Sequence, residues 1–136
     1  MTETRARLDR SVSERDFQRT VIRMAHAYRW KVAHFRPARV TVDGVETYRT
    51  PVEADGKGFF DLVLVRPPHL IFVECKSEKG VLSAEQKEWG ELLVACGTTV
   101  ETYDEDDILE HEVWVPAVAY YVWRPSMLDE IEKILR

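Results

Sequence analysis

Between Asp61 and Lys76 the chain reads as two sheet strands laid back to back. Asp61 opens the apolar run Leu62-Val63-Leu64-Val65, Arg66-Pro67-Pro68-His69 turns the chain, and Leu70-Ile71-Phe72-Val73 runs into Glu74-Cys75-Lys76. Proline cannot donate to a ladder, so it breaks the apolar stretch into two runs that pair as a hairpin. That pairing carries two carboxylates and an ammonium to one edge of a sheet. Side chains alternate along a strand, so Glu74 and Lys76 share a face with Phe72, while Val73 and Cys75 take the other. Desolvating ionised groups there costs several kcal/mol each. A hard divalent cation with oxygen ligands would offset the cost, which makes Asp61 and Glu74 candidate metal ligands and points to metal-assisted phosphodiester chemistry. Two plainer readings stand beside this one. Asp61 can cap a strand end in solvent, and Glu74 with Lys76 can form an exposed ion pair contributing about 0–1 kcal/mol.

A chain of 136 residues supports one compact core. Residues 1–12, polar and without period, are expected to form a flexible basic arm, and residues 13–136 a single domain. No apolar stretch approaches the ~18 residues of a membrane span, so no membrane association is expected. The opening Met1-Thr2-Glu3-Thr4-Arg5 lacks the apolar core of a secretory signal, which predicts a cytoplasmic protein. Cys75 and Cys96 are the two cysteines, expected as reduced core thiols. His26, His34, His69 and His111 are scattered and read as surface or core histidines, without the spacing of a zinc site.

The formal charge of −5 argues at first against a nucleic-acid partner. Its distribution reverses the argument: residues 1–40 hold ten Lys or Arg against four acidic residues. The stretch Thr98 to Glu112 holds seven acidic residues and no basic one, and without it the charge would be +2. A basic face can coexist with that acidic total.

From Ser13 the spacing of Phe17, Val21, Met24, Ala25 and Tyr28 predicts a helix with one buried stripe, off which lie Arg15, Arg19, Arg23 and Arg29. Glu14 and Gln18 sit one above the other at the stripe's edge. Ser11-x-x-Glu14 has capping-box spacing, and Ser13-x-x-Asp16 offers a rival box that leaves Glu14 available. Val32–Arg36 reads as a strand and Val40–Tyr48 as a hairpin around Asp43-Gly44. A helix is expected from Ser83 to Cys96, with Trp89, Leu92, Leu93 and Cys96 buried; Ser83-x-x-Gln86 is again a capping-box spacing. Residues 98–118 read as an acidic insertion, Ala117–Trp123 as a buried strand, and Met127–Leu135 as a last helix with Leu128, Ile131 and Leu135 inward. This order predicts an α/β fold, a mixed sheet flanked by helices, in which the Ala117 strand lies parallel to its predecessor after a helical crossover.

Five segments together resemble the VRR-NUC domain of the PD-(D/E)XK nuclease superfamily: Glu14-x3-Gln18, Gly58-Phe59-Phe60-Asp61-Leu62, Phe72-Val73-Glu74-Cys75-Lys76-Ser77-Glu78-Lys79-Gly80, Leu82-Ser83-x-x-Gln86, and Val122-Trp123-Arg124-Pro125-Ser126-x-Leu128-Asp129-Glu130-Ile131. The last is similar to the tail of the short, virus-encoded stand-alone members. The resemblance covers about residues 13–97 and 120–135. It implies a restriction-endonuclease-like core, hydrolysis of DNA dependent on Mg²⁺ or Mn²⁺ with no organic cofactor, a homodimer, branched substrates such as four-way junctions, and a setting in a bacterial or infected host cell. It maps the first-helix acid to Glu14, the metal acids to Asp61 and Glu74, the lysine to Lys76 and the helix glutamine to Gln86. The family usually has Gly-x-Pro-Asp where this chain has Phe60 before Asp61, and the acidic insertion has no counterpart in it.

On this reading Asp61, Glu74, the backbone carbonyl of Cys75 and Glu14 hold the metal. Lys76 orients the attacking water or stabilises charge on the phosphorane-like transition state, and Gln86 fixes the nucleophile or a ligand by hydrogen bonding. Gln18, Arg15, Arg19, Arg23, Lys57, Lys79 and Lys87 are candidate DNA contacts, each with solvated surface charge as its plain alternative. Two other functions fit the same residues. One is a non-catalytic DNA-binding module on a degenerate nuclease fold, and the other a restriction-type endonuclease that reads sequence in plain duplex.

Overall fold

The computed structural model describes residues 2–35, 38–49, 52–97 and 117–136. Most of the acidic insertion expected at 98–118 lies outside the described residues. In chain order the elements are α1 (Glu3–Ser11), α2 (Glu14–Ala27), β1 (Lys31–His34), β2 (Ala38–Val42), β3 (Val45–Arg49), β4 (Leu62–Arg66), β5 (His69–Cys75), α3 (Ala84–Ala95), β6 (Val118–Trp123), a 3₁₀ turn (Pro125–Met127) and α4 (Leu128–Leu135).

Four strands form one mixed sheet in the order β1-β4-β5-β6, with β1–β4 and β4–β5 antiparallel and β5–β6 parallel. The Pro67-Pro68 turn closes the β4–β5 hairpin as its sequence requires. β2 and β3 pair separately around Asp43 and Gly44, both at positive φ (52° and 77°), the backbone of a two-residue hairpin turn. Alternation sorts the two faces of the main sheet. Leu62, Leu64, Ile71, Val73, Cys75, Ala119, Tyr121 and Trp123 share a core with Phe17, Val21 and Ala25 of α2 and Ile131, Ile134 and Leu135 of α4. On the opposite face Phe72 and Tyr120 join Phe60, Phe59 and Trp89 in an aromatic cluster whose ring centroids lie 5.1–6.4 Å apart.

The opening segment differs from its expectation: residues 3–11 are helical. Thr2 caps α1 by accepting the Arg5 N–H at 3.2 Å, Arg5 pairs with Asp9 at 3.3 Å, and the helix packs against the 3₁₀ turn, where Asp9 is buried. A helix docked mainly through a charged residue and Val12 leaves no apolar period to read. The second difference is α3. It meets the sheet through Gly90, where an added Cβ would stand 2.7 Å from the Tyr120 ring, and this close approach turns Leu92 and Cys96 outward. Cys96 is therefore an exposed thiol, while Cys75 is buried as expected.

The end of β4 remote from Asp61 is tied down by Arg66. Its guanidinium donates to the carbonyls of Tyr28 (2.8 Å), Leu135 (2.9 Å) and Arg136 (3.2 Å) and lies 4.5 Å over the Trp30 ring.

Candidate active site

The β4–β5 ladder ends at Leu62 paired with Val73, so one step further Asp61 comes opposite Glu74. Past that point the Cys75 N–H has no strand partner, and it donates instead to Asp61 Oδ2 at 2.8 Å. The N–H and C=O of one strand residue point to the same side, so the Cys75 carbonyl faces the same gap at the start of β4. Gly58 sets the approach to Asp61. Its φ of +81° and its seat against the first turn of α3, where a Cβ would lie 2.7 Å from the Glu85 carbonyl carbon, admit no side chain. Phe60, the residue before Asp61, is fully buried among Phe72, Trp89 and Tyr120, and this packing fixes the approach of the chain to Asp61.

Glu74 has no exposed surface, and neither of its oxygens has a hydrogen-bond partner among the described residues. Burial, and then the Asp61 carboxyl beside it, which would accept a hydrogen bond from a protonated Glu74 and repel an ionised one, push its pKa up to about 9, against the pull of Lys76. Glu14 is the first residue of α2. Ser13 caps this helix by accepting the Asp16 N–H at 3.1 Å, and Ser11 turns back to the Leu8 carbonyl at 2.7 Å, so Glu14 takes no part in the cap. Half-buried, Glu14 is held above the usual carboxylate range by desolvation, with Lys76 lowering and Asp61 raising it. These mutual influences join Glu14, Asp61, Glu74 and Lys76 into one electrostatic group. The Cys75 thiol is pushed well up by burial and then by the surrounding carboxylates, which leaves it an inert core sulfur.

Lys76 is nine-tenths buried, and its N–H extends the parallel ladder to the Trp123 carbonyl at 2.9 Å. The segment after it is held rigidly. Arg124 Nη1 donates to the carbonyls of Ser77 (2.8 Å), Glu78 (3.2 Å) and Gly80 (2.8 Å), and the Glu78 carboxylate accepts from the N–H and hydroxyl of Ser126.

Asp61 and Glu14 open into a cleft of about 900 Å³, walled by Arg15, Gln18, Arg19 and Ile22 of α2, His34 of β1 and Tyr48 of β3. Gln18 Oε1 and His34 Nε2 meet at 3.0 Å. Glu14, Asp61, Glu74, Cys75 and Lys76 thus lie near enough to act on one another electrostatically, and Gln18, Arg15 and Arg19 line the cleft with Glu14 and Asp61. Arg23 follows one turn further along the exposed face of α2. Lys57 is exposed and paired with Glu85 at 3.3 Å, and Lys79 and Lys87 are also exposed; none of the three lines the cleft. Gln86 serves as the helix cap: its Oε1 accepts the Ser83 N–H at 2.8 Å while its own N–H donates to Ser83 Oγ at 3.2 Å. That bond engages one lone pair of Oε1, so the amide N–H₂ is the group that would serve the catalytic role expected of Gln86. His34 and Tyr48 are cleft residues that sequence spacing did not reveal. His34 reaches the site because β1 pairs it with Leu62, next to Asp61.

Among the described residues no group of three or more His, Cys, Asp or Glu side chains is placed to hold a metal ion. Two facing carboxylates, a strand carbonyl and a nearby third acid suit an open site instead, of the kind Mg²⁺ prefers because it keeps several waters. Glu74 is what fits a cation: deprotonated, it would be a buried carboxylate beside a second one, with neither oxygen meeting a donor among the described residues. Compared with known proteins, the chain matches no family model, no curated protein and no solved structure.

Proposed function

We propose that the chain is a divalent-metal-dependent DNA nuclease with a restriction-endonuclease-like core, acting as a homodimer on branched DNA. The observation that carries the proposal is the buried, unpartnered Glu74 carboxyl facing an Asp61 carboxylate fixed by the Cys75 N–H. Asp61, Glu74, the Cys75 carbonyl and Glu14 would hold Mg²⁺ or Mn²⁺. A metal bound there supplies Lewis-acid polarisation of the phosphate and a bound water acidic enough to attack near neutral pH.

The chain's own residues do the rest. Asp61 is oriented before any ligand arrives, because its Oδ2 is already engaged. Glu74 loses its proton as the site fills. Lys76, on the same strand face as Glu74, places an ammonium where negative charge builds on the phosphate. Arg15 and Arg19, on the cleft wall, bind flanking phosphates and set the strand's position. Two cuts placed symmetrically across a branch need two such sites, which a two-fold dimer provides.

The test is a panel of linear, nicked, flap and four-way DNA with Mg²⁺ or Mn²⁺, read on gels for wild type and for Asp61→Ala, Glu74→Ala and Lys76→Ala. Cutting of branched DNA by wild type alone is the expected result, with the three variants reduced by about 100-fold or more. Normal turnover in any variant removes its residue from the site. Binding without cutting would favour a non-catalytic module, and cutting at fixed sites in plain duplex a restriction-type enzyme. Light scattering on the same preparation should give twice the chain mass.

A further inference from the structure

The β2–β3 hairpin brings to the cleft a side chain that phosphate hydrolysis does not use. Tyr48 on β3 lines the cleft and is 70% exposed, so its ring is open to a ligand. Its register partner on β2 is Arg39, so both side chains leave the same face of the hairpin, and Arg39 is held there by Glu46 at 3.2 Å. Arg15 and Arg19 of α2, with Glu14 and Asp61, line the same cleft as Tyr48. The cleft therefore brings an aromatic ring and two cations together beside the two acids, and among its described lining residues Ile22 is the one aliphatic side chain.

We propose that Tyr48 is a base-stacking platform and that the cleft takes an unpaired nucleotide next to the scissile phosphate. The base rests on the Tyr48 ring and the flanking phosphates lie against Arg15 and Arg19. This rests on the nuclease reading and adds to it single-stranded character at the cut. The physical reason is that a paired base is already stacked on both faces within its duplex. A protein ring can take only a base that has left the stack, whereas a guanidinium reaches phosphates in either form. Branched DNA supplies such bases at the junction, and uninterrupted duplex does not.

The experiment measures fluorescence anisotropy in EDTA, so that binding is read without cleavage, using a short oligothymidylate and a duplex of equal length. Wild type, Tyr48→Phe and Tyr48→Ala are compared at one salt concentration. Tyr48→Ala should weaken single-strand binding by about 5- to 100-fold, with Tyr48→Phe and all duplex affinities within about twofold of wild type. Equal single-strand affinity in Tyr48→Ala would overturn the proposal, and so would equal losses on both DNAs or no single-strand binding by wild type. Melting of each variant, followed by circular dichroism, checks that an exposed hairpin position leaves the fold unchanged. A parallel cleavage assay with Mn²⁺ keeps the two readings apart. If wild type binds single strands through Tyr48 but cuts nothing, the nuclease reading fails while the stacking site stands. If it cuts but Tyr48→Ala binds normally, only the stacking site fails.

Discussion

Burial, with the Asp61 carboxyl beside it, holds the Glu74 carboxyl far above the ordinary carboxylate range, against the pull of Lys76. Its folded pKa, about 9, lies above its ordinary 4.5, so the folded state binds more protons than the unfolded one between those values. The sign follows: the Glu74 contribution to stability is present below about pH 4.5 and is lost as pH rises toward 9. Glutamine has the shape without the titration. Melting curves in EDTA should therefore show wild type losing stability between pH 5 and about pH 9 and Glu74→Gln losing much less, so that the variant is the more stable of the two on the alkaline side. Parallel curves for the two proteins would show that Glu74 does not titrate in this window. A cation entering the site must displace the same proton, so Mn²⁺ affinity should rise with pH. Calorimetry in buffers of different ionisation enthalpy should detect the released proton, and Glu74→Gln should release fewer protons than wild type.

At the scale of elements, the site depends on how strand ends are terminated. β4 begins one residue after Asp61, which leaves the Cys75 N–H for the carboxylate. β5 continues into a segment that Arg124 clamps through three carbonyls. All three bonds come from Nη1, whose two hydrogens are shared among the three carbonyls. Arg124→Ala should cost about 1–3 kcal/mol by urea denaturation, since it leaves part-buried carbonyls unsatisfied. On the proposed nuclease reading it should also lower kcat more than it raises KM, because Lys76 loses its fixed exit from the strand while the cleft wall on α2 is untouched. A variant with wild-type kcat would mean that the clamp serves stability alone. The docking of α3 belongs to the same scale: Gly90 lets the helix lie against Tyr120, and the Ser83–Gln86 box starts it where Gly58 passes.

For the whole molecule, net charge and charge placement pull in different directions. The chain carries −5 overall, yet α2 presents Arg15, Arg19 and Arg23 at successive turns on its exposed side, two of them in the cleft. If these three meet phosphates, the logarithm of duplex affinity should fall with the logarithm of salt with a slope of about −3, and a triple glutamine variant should be nearly flat. An unchanged slope in that variant would place the DNA elsewhere on the surface. Among the described residues no helix is long and apolar enough to cross a membrane.

Much of this architecture was legible in the chain because its signals are local. Alternation and the proline pair specified the β4–β5 hairpin, Asp43-Gly44 the β2–β3 turn, and the stripe from Phe17 to Tyr28 the second helix, each within a few residues of sequence. The Asp61, Glu74 and Lys76 trio was readable for the same reason: a hairpin with a fixed turn has a fixed register. Tertiary packing decided the rest. It chose Ser13 over Ser11 as the cap that leaves Glu14 to the site, gave Gln86 to a cap, turned Cys96 outward by seating Gly90 on Tyr120, and ordered α1 through a buried Asp9. It also brought Tyr48 and His34 to the cleft from strands with no spacing relation to Asp61. Local pattern fixes which face of an element is apolar, but which charged residue loses its water depends on what the distant chain lays over it, and Glu74 acquires its chemistry only there.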